Sequence, residues 1–348
     1  MRVANWLRVP TLAGACALGT GVAGLAPGAY AQAPDFYKGR TVEIVIGYSA
    51  GGAYDVYARL LGRYMGRHIP GNPNLVAKNM EGAGSLRAAN WLYNVGPKDG
   101  TVFGTFGRGA PFDPLLGVKA AQFNGNKFSW VGSMNDEVSV CVSWTGSGIT
   151  SIADLKAREL VVGGTGPSAD TDQFPKVMNG VLGTKMRVIS GYPGGNDVNL
   201  AMQRGEVKGR CGWSWSSVLA THVGWYKEKT ITVLAQLALH KHADLPDVPL
   251  VMDLASTDEQ SKILKLVFAR QALGRPFAAP PGVPADRLAI LRKAFMATMA
   301  DKDFLGEADK AQIEITPVSG EEIQKLVAEA YEVPAEIAKK AAEMIEAK

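Results

Sequence analysis

Cysteine, histidine and excess charge are all scarce in this chain. Of its 348 residues, three are cysteine and four histidine, and 37 Lys and Arg nearly balance 33 Asp and Glu, leaving a formal charge of +4. So small a surplus gives no electrostatic reason to expect nucleic acid or a membrane surface as a partner. The histidines His68, His222, His240 and His242 lack metal-ligand spacing except at His240-Lys-His242, where no third ligand follows, so no metal is expected. Neither G-x-G-x-x-G after a strand nor G-x-x-x-x-G-K-[ST] occurs, which argues against a dinucleotide or NTP phosphate and leaves no cofactor to expect. Gly166-Pro-Ser168-Ala-Asp170 approaches a nucleophile elbow but has Asp where the second Gly must allow the strained turn. Ser168 therefore reads as a hydrogen-bond donor at a helix start, and an enzyme is not expected.

What is present begins with a basic, then apolar, leader. Arg2 and Arg8 precede an apolar or small stretch from Thr11 to Leu25, and Ala29-Tyr-Ala31 supplies small residues where a signal peptidase reads. The expectation is export with cleavage after Ala31. The apolar stretch is shorter than the roughly 20 residues that span a bilayer, and no later run reaches that length. Cys16 sits in a poor lipobox. The remaining cysteines, Cys141 and Cys211, lie at ends of strand-like segments, and in an oxidising compartment such a pair is expected to be bridged rather than left as two buried thiols.

Beyond the leader, short β-branched runs alternate with longer amphipathic stretches at about thirty-residue intervals, a rhythm of βα units and a mostly parallel sheet. The runs at 41–47, NLVAKNM, TVFGTF and FSWVGSM make one series; SVCVSW, ELVVGG, MRVIS, EVKGRCGW and TITVLAQLAL make another. The expected layout is a first lobe of residues 32–135 and 251–348, with the C-terminal helices folded back on it, and a second lobe of residues 136–250. Two connections would then cross between lobes as a hinge.

Forty glycines are unusually many, and several stand where a strand hands over to a helix. Three such turns are Gly47 to Asp55, Gly163 to Asp170 and Gly191 to Asp197. Glycine permits positive φ and close approach of backbone to ligand, and a helix N-terminus favours an anion by about 0.3–1 kcal/mol. In open α/β sheets the crevice lies off the carboxyl ends of strands, so the turns should converge on one gap. Tight-turn formation alone remains the alternative for any one of them. Trp213 and Trp215, interleaved with serines at the end of a strand, are open to core packing or to walling a cleft. Arg108 is open to a charge-assisted bond with a carboxylate or to a solvated surface position.

The segments FYKGRTVEIVIGYSAGGAYDVYARLL, NMEGAGSLRAANWLYNVGPKDGTVFGTF, YPGGNDVNLAMQRGEVKGR and LPDVPLVMDL together resemble the substrate-binding proteins of tripartite tricarboxylate transporters, the Bug or TctC-like family. The resemblance runs from about Phe36 to the C-terminus and implies a periplasmic binding protein-like (type II) α/β fold with a hinge and an interdomain cleft. It also implies capture of a small carboxylate in the periplasm and delivery to inner-membrane transporter subunits, by a protein expected to be a monomer. Carried onto this chain, the ligand turns are Ser49, Ala50, Gly51, Gly52, Ala53 and Asp55; Thr165, Gly166 and Ser168; and Pro193, Gly194 and Gly195. Tyr48 and Arg108 depart from the family pattern. Two rival readings remain, a periplasmic sensor serving a signalling receptor and a hydrolase using Ser168. Aromatic residues near the cleft suit a ligand with an apolar or aromatic body.

Overall fold

The computed structural model describes residues 36–346. The leader and its cleavage site lie outside the described residues. The first series of strand-like runs forms β1 (Thr41–Ile46), β2 (Asn74–Asn79), β3 (Val102–Thr105) and β4 (Ser129–Ser133), with α1 (Ala53–Met65) and α2 (Leu86–Asn94) between them. The second forms β5 (Ser139–Trp144), α3 (Ile152–Ala157), β6 (Leu160–Gly163), α4 (Asp170–Leu182), β7 (Met186–Ile189), α5 (Gly195–Arg204), β8 (Gly209–Ser214), α6 (Trp215–Lys227) and β9 (Ile231–Leu237). The chain then runs through α7 (Asp258–Phe268), β10 (Pro276–Ala279), α8 (Ala285–Met299), α9 (Lys302–Lys310), β11 (Val318–Ser319), α10 (Gly320–Ala330) and α11 (Ala335–Glu346).

These strands make two sheets. One has the order β11-β4-β10-β3-β1-β2 and the other β7-β6-β8-β5-β9. The βα rhythm is realised where β1 pairs in parallel with β2 and β3, and where β6 pairs in parallel with β7 and β8. Each sheet is nonetheless mixed, because β10 enters antiparallel to β3 and β4, and β5 lies antiparallel to β8 and β9. Both intruders follow a crossing from one sheet to the other, so no right-handed βαβ connection fixes their direction.

Why the elements end where they do is local chemistry. Ser151 accepts from the Asp154 N–H and opens α3, while Ser319 and Glu322 form a reciprocal capping box on α10. Val42, Ile44 and Ile46 of β1 are fully buried against Tyr57, Leu60 and Leu61 of α1, the helix face that the apolar spacing marks out. In the other sheet, Cys141 of β5 and Cys211 of β8 stand opposite each other and are disulfide-bonded.

The chain passes from the first sheet to the second through residues 134–138 and returns through residues 238–275. The return carries α7 against α4 of the second sheet, with Phe268 edge-on to Phe174 at 4.7 Å between centroids. The C-terminus also departs from the expected layout. Whereas α10 covers β4 of the first sheet, Ile337, Ala341 and Ile345 of α11 join the apolar cluster of Val177 and Val181 on α4, and Lys176 donates to the Ile345 carbonyl at 3.0 Å. The reason is that α4 presents a second apolar stripe, beyond the one it lays on its own sheet, and α11 covers it.

Candidate functional site between the lobes

Four helices begin at one cavity of about 60 Å³ between the two sheets. Its walls include Ala53 and Tyr54 of α1, Asp170 and Thr171 of α4, Gly195 and Asn196 of α5, and the α6 N-cap Ser214 with Ser217. First-turn N–H groups lack helical partners, so the ends carry partial positive charge. The cavity is large enough for a few waters or a small anion.

The lobes are held shut around it by direct bonds. Ser49 donates to Asp197 Oδ2 at 2.9 Å, Asn196 Nδ2 donates to the Gly51 carbonyl at 2.7 Å, and the Gly84 N–H donates to the Thr165 carbonyl at 2.8 Å. Gly84 and Gly166 touch here, and the positive φ values of +67° and +132° make both positions glycine's. Gly194 and Gly195 are needed for space instead: a Cβ on Gly194 would overlap Ser49 Oγ, and one on Gly195 would stand 3.0 Å from Arg210 Cζ and overlap one of its terminal nitrogens.

Electrostatics single out one side chain. Four guanidinium groups lie buried in or behind the cavity wall, and three have carboxylate neighbours. Arg108 Nε donates to Asp170 Oδ2 at 2.7 Å, Arg275 sits 3.2 Å from Glu137, and Arg270 lies 3.6 Å from Asp170. Arg210, on β8, has none. Its Nη1 donates to the neutral Gly195 carbonyl (3.2 Å) and Asn199 Oδ1 (3.0 Å), its Nε has no partner, and its plane lies over the Trp213 ring at 4.7 Å. Only 9% of Arg210 is exposed. Burial without an acidic partner pushes its pKa down to about 9, the response expected of a desolvated cation. His222, bonded to Asn199 behind it, is pushed down to about 4, first by burial and then by the Arg210 charge, so it is neutral and adds no second cation.

The sequence-derived candidates divide by position. Tyr48, Gly52, Ala53, Arg108, Thr165, Gly195 and Trp213 are brought together on the cavity wall. Ser49, Gly51, Gly166 and Gly194 lie behind it, at the seam where the lobes meet. Ala50 and Pro193 occupy the same turns without lining the cavity. Asp55 faces away from it: its carboxylate accepts from the Gly51 N–H and Asn79 Nδ2, each at 2.9 Å, and pairs with Arg59, so it braces the first turn. The second turn is also self-satisfied, since the Thr165 N–H donates to Thr171 Oγ1 at 3.1 Å and the Gly166 N–H to Asp172 Oδ2 at 2.9 Å. That turn therefore offers a ligand fewer backbone donors than its glycines suggest.

Three side chains settle readings left open by the sequence. Arg108 is 2% exposed and paired, which removes the solvated-surface alternative. Trp215 begins α6, where the sequence suggested a turn; its Nε1 donates to Asp244 at 3.2 Å and its ring packs edge-on to Tyr226, away from the cavity. Ser168 is fully buried with its hydroxyl donated to Asp113, at a seam between the lobes where Gln173 Nε2 also donates to Asp113 Oδ1 at 2.8 Å. Its bonding partner is an acid with no histidine between them. Sequence reasoning missed Tyr54, Asp170, Asn196, Arg210, Ser214, Ser217 and Thr221. Arg210 carried no local signal at all, because its neighbours Gly209, Cys211 and Gly212 read as a strand.

Asp113 supplies a pH test of the seam. Burial raises its pKa to about 7 against the Ser168, Arg270 and Gln173 contacts that lower it, with nearby Asp170 raising it further. A carboxyl raised by folding favours the fold while protonated, so this contribution is full below about pH 4 and is lost as pH rises toward 7. Asp113→Asn is therefore expected to flatten the fall in denaturant stability between pH 5 and 8. An unchanged pH profile in that variant would show that another group titrates.

No protein-family model matches the chain. A curated relative, the UPF0065 protein in the TAR-I ttuE-ttuC' intergenic region of Agrobacterium vitis, is 25% identical over 309 residues, covering 83% of this chain and 82% of the relative. Among solved structures, the periplasmic binding protein BugD superposes with a TM-score of 0.71 at 20% identity, over 88% of this chain and 98% of BugD. The fold is that of the Bug/TctC-type periplasmic binding proteins. MatC from Rhodopseudomonas palustris, solved with bound malate, superposes with a TM-score of 0.69 at 18% identity, over 86% of this chain and 99% of MatC. These neighbours bear out the resemblance read from the sequence, together with its two α/β lobes. Among the described residues no helix is long and apolar enough to cross a membrane, and no group of three or more His, Cys, Asp or Glu is placed to hold a metal.

Proposed function

We propose that this protein is a periplasmic solute-binding protein that closes its two lobes on a small carboxylate and passes it to an inner-membrane transporter. The observation that carries the ligand class is Arg210: a guanidinium buried in the cavity wall without a carboxylate is an unmet demand for an anion. The surrounding helix N-termini and the hydroxyls of Ser214 and Ser217, which accept from Arg108 and Arg275 and have their own protons to give, supply further donors. Carboxylate capture by a Bug/TctC fold also agrees with the malate bound to MatC. Binding docks the acid on one lobe, and closure of the other excludes water, so that each hydrogen bond strengthens in the lower dielectric. Lobe boundaries follow the sheets, with hinges at residues 134–138 and within the return segment. Delivery to a transporter rests on the family resemblance, and a periplasmic sensor would use the same closure.

The test is a thermal-shift screen of carboxylic acids against their uncharged amides. A ligand present at a hundred times its Kd adds about 2.7 kcal/mol to folded-state stability, and for a chain of this size that corresponds to a rise of roughly 4 °C or more in Tm. At least one acid is expected to give such a rise and its amide none. If no acid shifts the transition, carboxylate capture is wrong.

A further inference from the structure

The two cationic side chains on the cavity wall are not equivalent. Arg210 lacks an anion, whereas Arg108 already holds one supplied by the protein: Asp170, the first residue of α4 and the sole acid among the described lining residues. Arg108 also donates through Nη2 to Ser214 Oγ at 2.6 Å and Ser139 Oγ at 3.3 Å, and its Nη1, which makes no hydrogen bond, lies 3.9 Å from the Glu137 carboxylate. Asp170 is held in that position from behind. Gly212 of β8, at φ +85°, lets the strand pass so near that a Cβ there would stand 2.6 Å from the Asp170 carbonyl oxygen. The neighbouring guanidinium groups give the same picture: Arg108 and Arg270 lie beside Asp170 and Arg275 beside Glu137, whereas among the described residues no carboxylate stands within 4 Å of Arg210.

We propose that Asp170 fills the place of a second ligand carboxylate, so that the cleft selects acids bearing a single carboxylate, seated on Arg210. The inference rests on the carboxylate-binding reading above and narrows it. A dicarboxylate offers two anionic groups to a cavity with one unmet cation. Its second group must displace Asp170 from Arg108, stranding a largely buried carboxylate, or sit beside Asp170 and be repelled by it. The hydroxyls of Ser217 and Thr221 and the stacked rings of Tyr48 and Tyr54, 4.7 Å apart, suit a neutral polar or aromatic remainder instead.

Isothermal titration of the purified, disulfide-intact protein with matched pairs tests this: 3-hydroxybutyrate against malate, butyrate against succinate, and benzoate against phthalate. Wild type is expected to bind the monocarboxylate of at least one pair tenfold or more tighter than its dicarboxylate partner. Asp170→Asn, which frees Arg108, is expected to erase or reverse that preference. Arg210→Met is expected to weaken the preferred monocarboxylate at least a hundredfold while leaving the ligand-free Tm unchanged or higher, since it removes an unpaired buried charge. Equal or tighter binding of dicarboxylates by wild type overturns the proposal, as does a monocarboxylate preference that survives in folded Asp170→Asn. Retained affinity in Arg210→Met overturns the seat on Arg210. If Asp170→Asn does not fold, the wild-type comparison alone decides. Failure of every acid to bind wild type refutes instead the carboxylate-binding reading on which the inference stands.

Discussion

Gly166→Ala is expected to reduce ligand affinity at least a hundredfold, about 2.7 kcal/mol, by keeping the lobes apart. A Cβ at this position would stand 2.8 Å from Ala83 Cα and overlap the Ala83 carbonyl carbon and the Gly84 nitrogen, all backbone atoms of the opposite lobe. Backbone cannot swing aside as a side-chain tip can, so the clash is relieved only by opening the seam that the Gly84 N–H to Thr165 carbonyl bond closes. Gly166 also sits at φ +132°, a conformation that itself costs an L-residue about 1–3 kcal/mol. Gly146→Ala separates the two effects, because Gly146 has φ +82° but nothing within 4 Å of its would-be Cβ. That variant is expected to lose some stability and no affinity. Small-angle scattering and ligand titration together provide the check: a Gly166→Ala protein that is as compact and binds as tightly as wild type would show that closure does not need this contact.

Removal of the Cys141–Cys211 bridge is expected to have the largest effect on stability. The bond closes a loop with a sequence separation of 70 residues. In the chain-entropy model such a loop corresponds to about 4 kcal/mol of destabilisation when opened, or a fall of roughly 6 °C in Tm for a chain of this size. Both cysteines are fully buried at the centre of the second sheet, where β8 also carries Arg210, Gly212 and Trp213. A Cys141→Ala, Cys211→Ala protein is therefore expected to lose affinity along with stability, because the strand that carries the unpaired guanidinium is less firmly held. Calorimetry of the double variant beside wild type decides the matter. A Tm within 2 °C of wild type would show that the sheet is held without the bond.

The fold was legible in the chain because burial leaves a periodic trace. Runs such as Val42, Ile44 and Ile46 announce a strand, and Tyr57, Leu60 and Leu61 a helix face packed upon it. Capping residues such as Ser151 and Ser319 are equally local, as each needs only a partner three residues on. The strand β10 was less visible, since Pro276-Phe-Ala-Ala279 sits between proline- and glycine-containing segments and gains its identity by inserting between β3 and β4. The helix α6 was hidden by Trp213-Ser-Trp-Ser-Ser217, whose serines and tryptophans read equally well as a turn.

At the site, glycine was the readable element and charge was not. Gly51, Gly166 and Gly195 stand out because strand-to-helix turns and close lobe contacts demand positive φ or a missing Cβ, conditions that a sequence displays directly. Whether Arg108, Arg210 or Asp170 faces a ligand depends on which other groups share its surroundings, and those come from distant segments, with Asp170 lying 62 positions from Arg108. Arg108 meets Ser214 across 106 positions. By itself, then, the order of residues determined the βα elements, the glycine turns and the likeness to Bug/TctC-type proteins, all of which follow from interactions over a few neighbouring positions. Only the tertiary structure decided that Arg210 is left without an acid while Arg108 is satisfied by Asp170, because the cost of a buried charge is set by whatever the folded chain brings within a few ångströms of it.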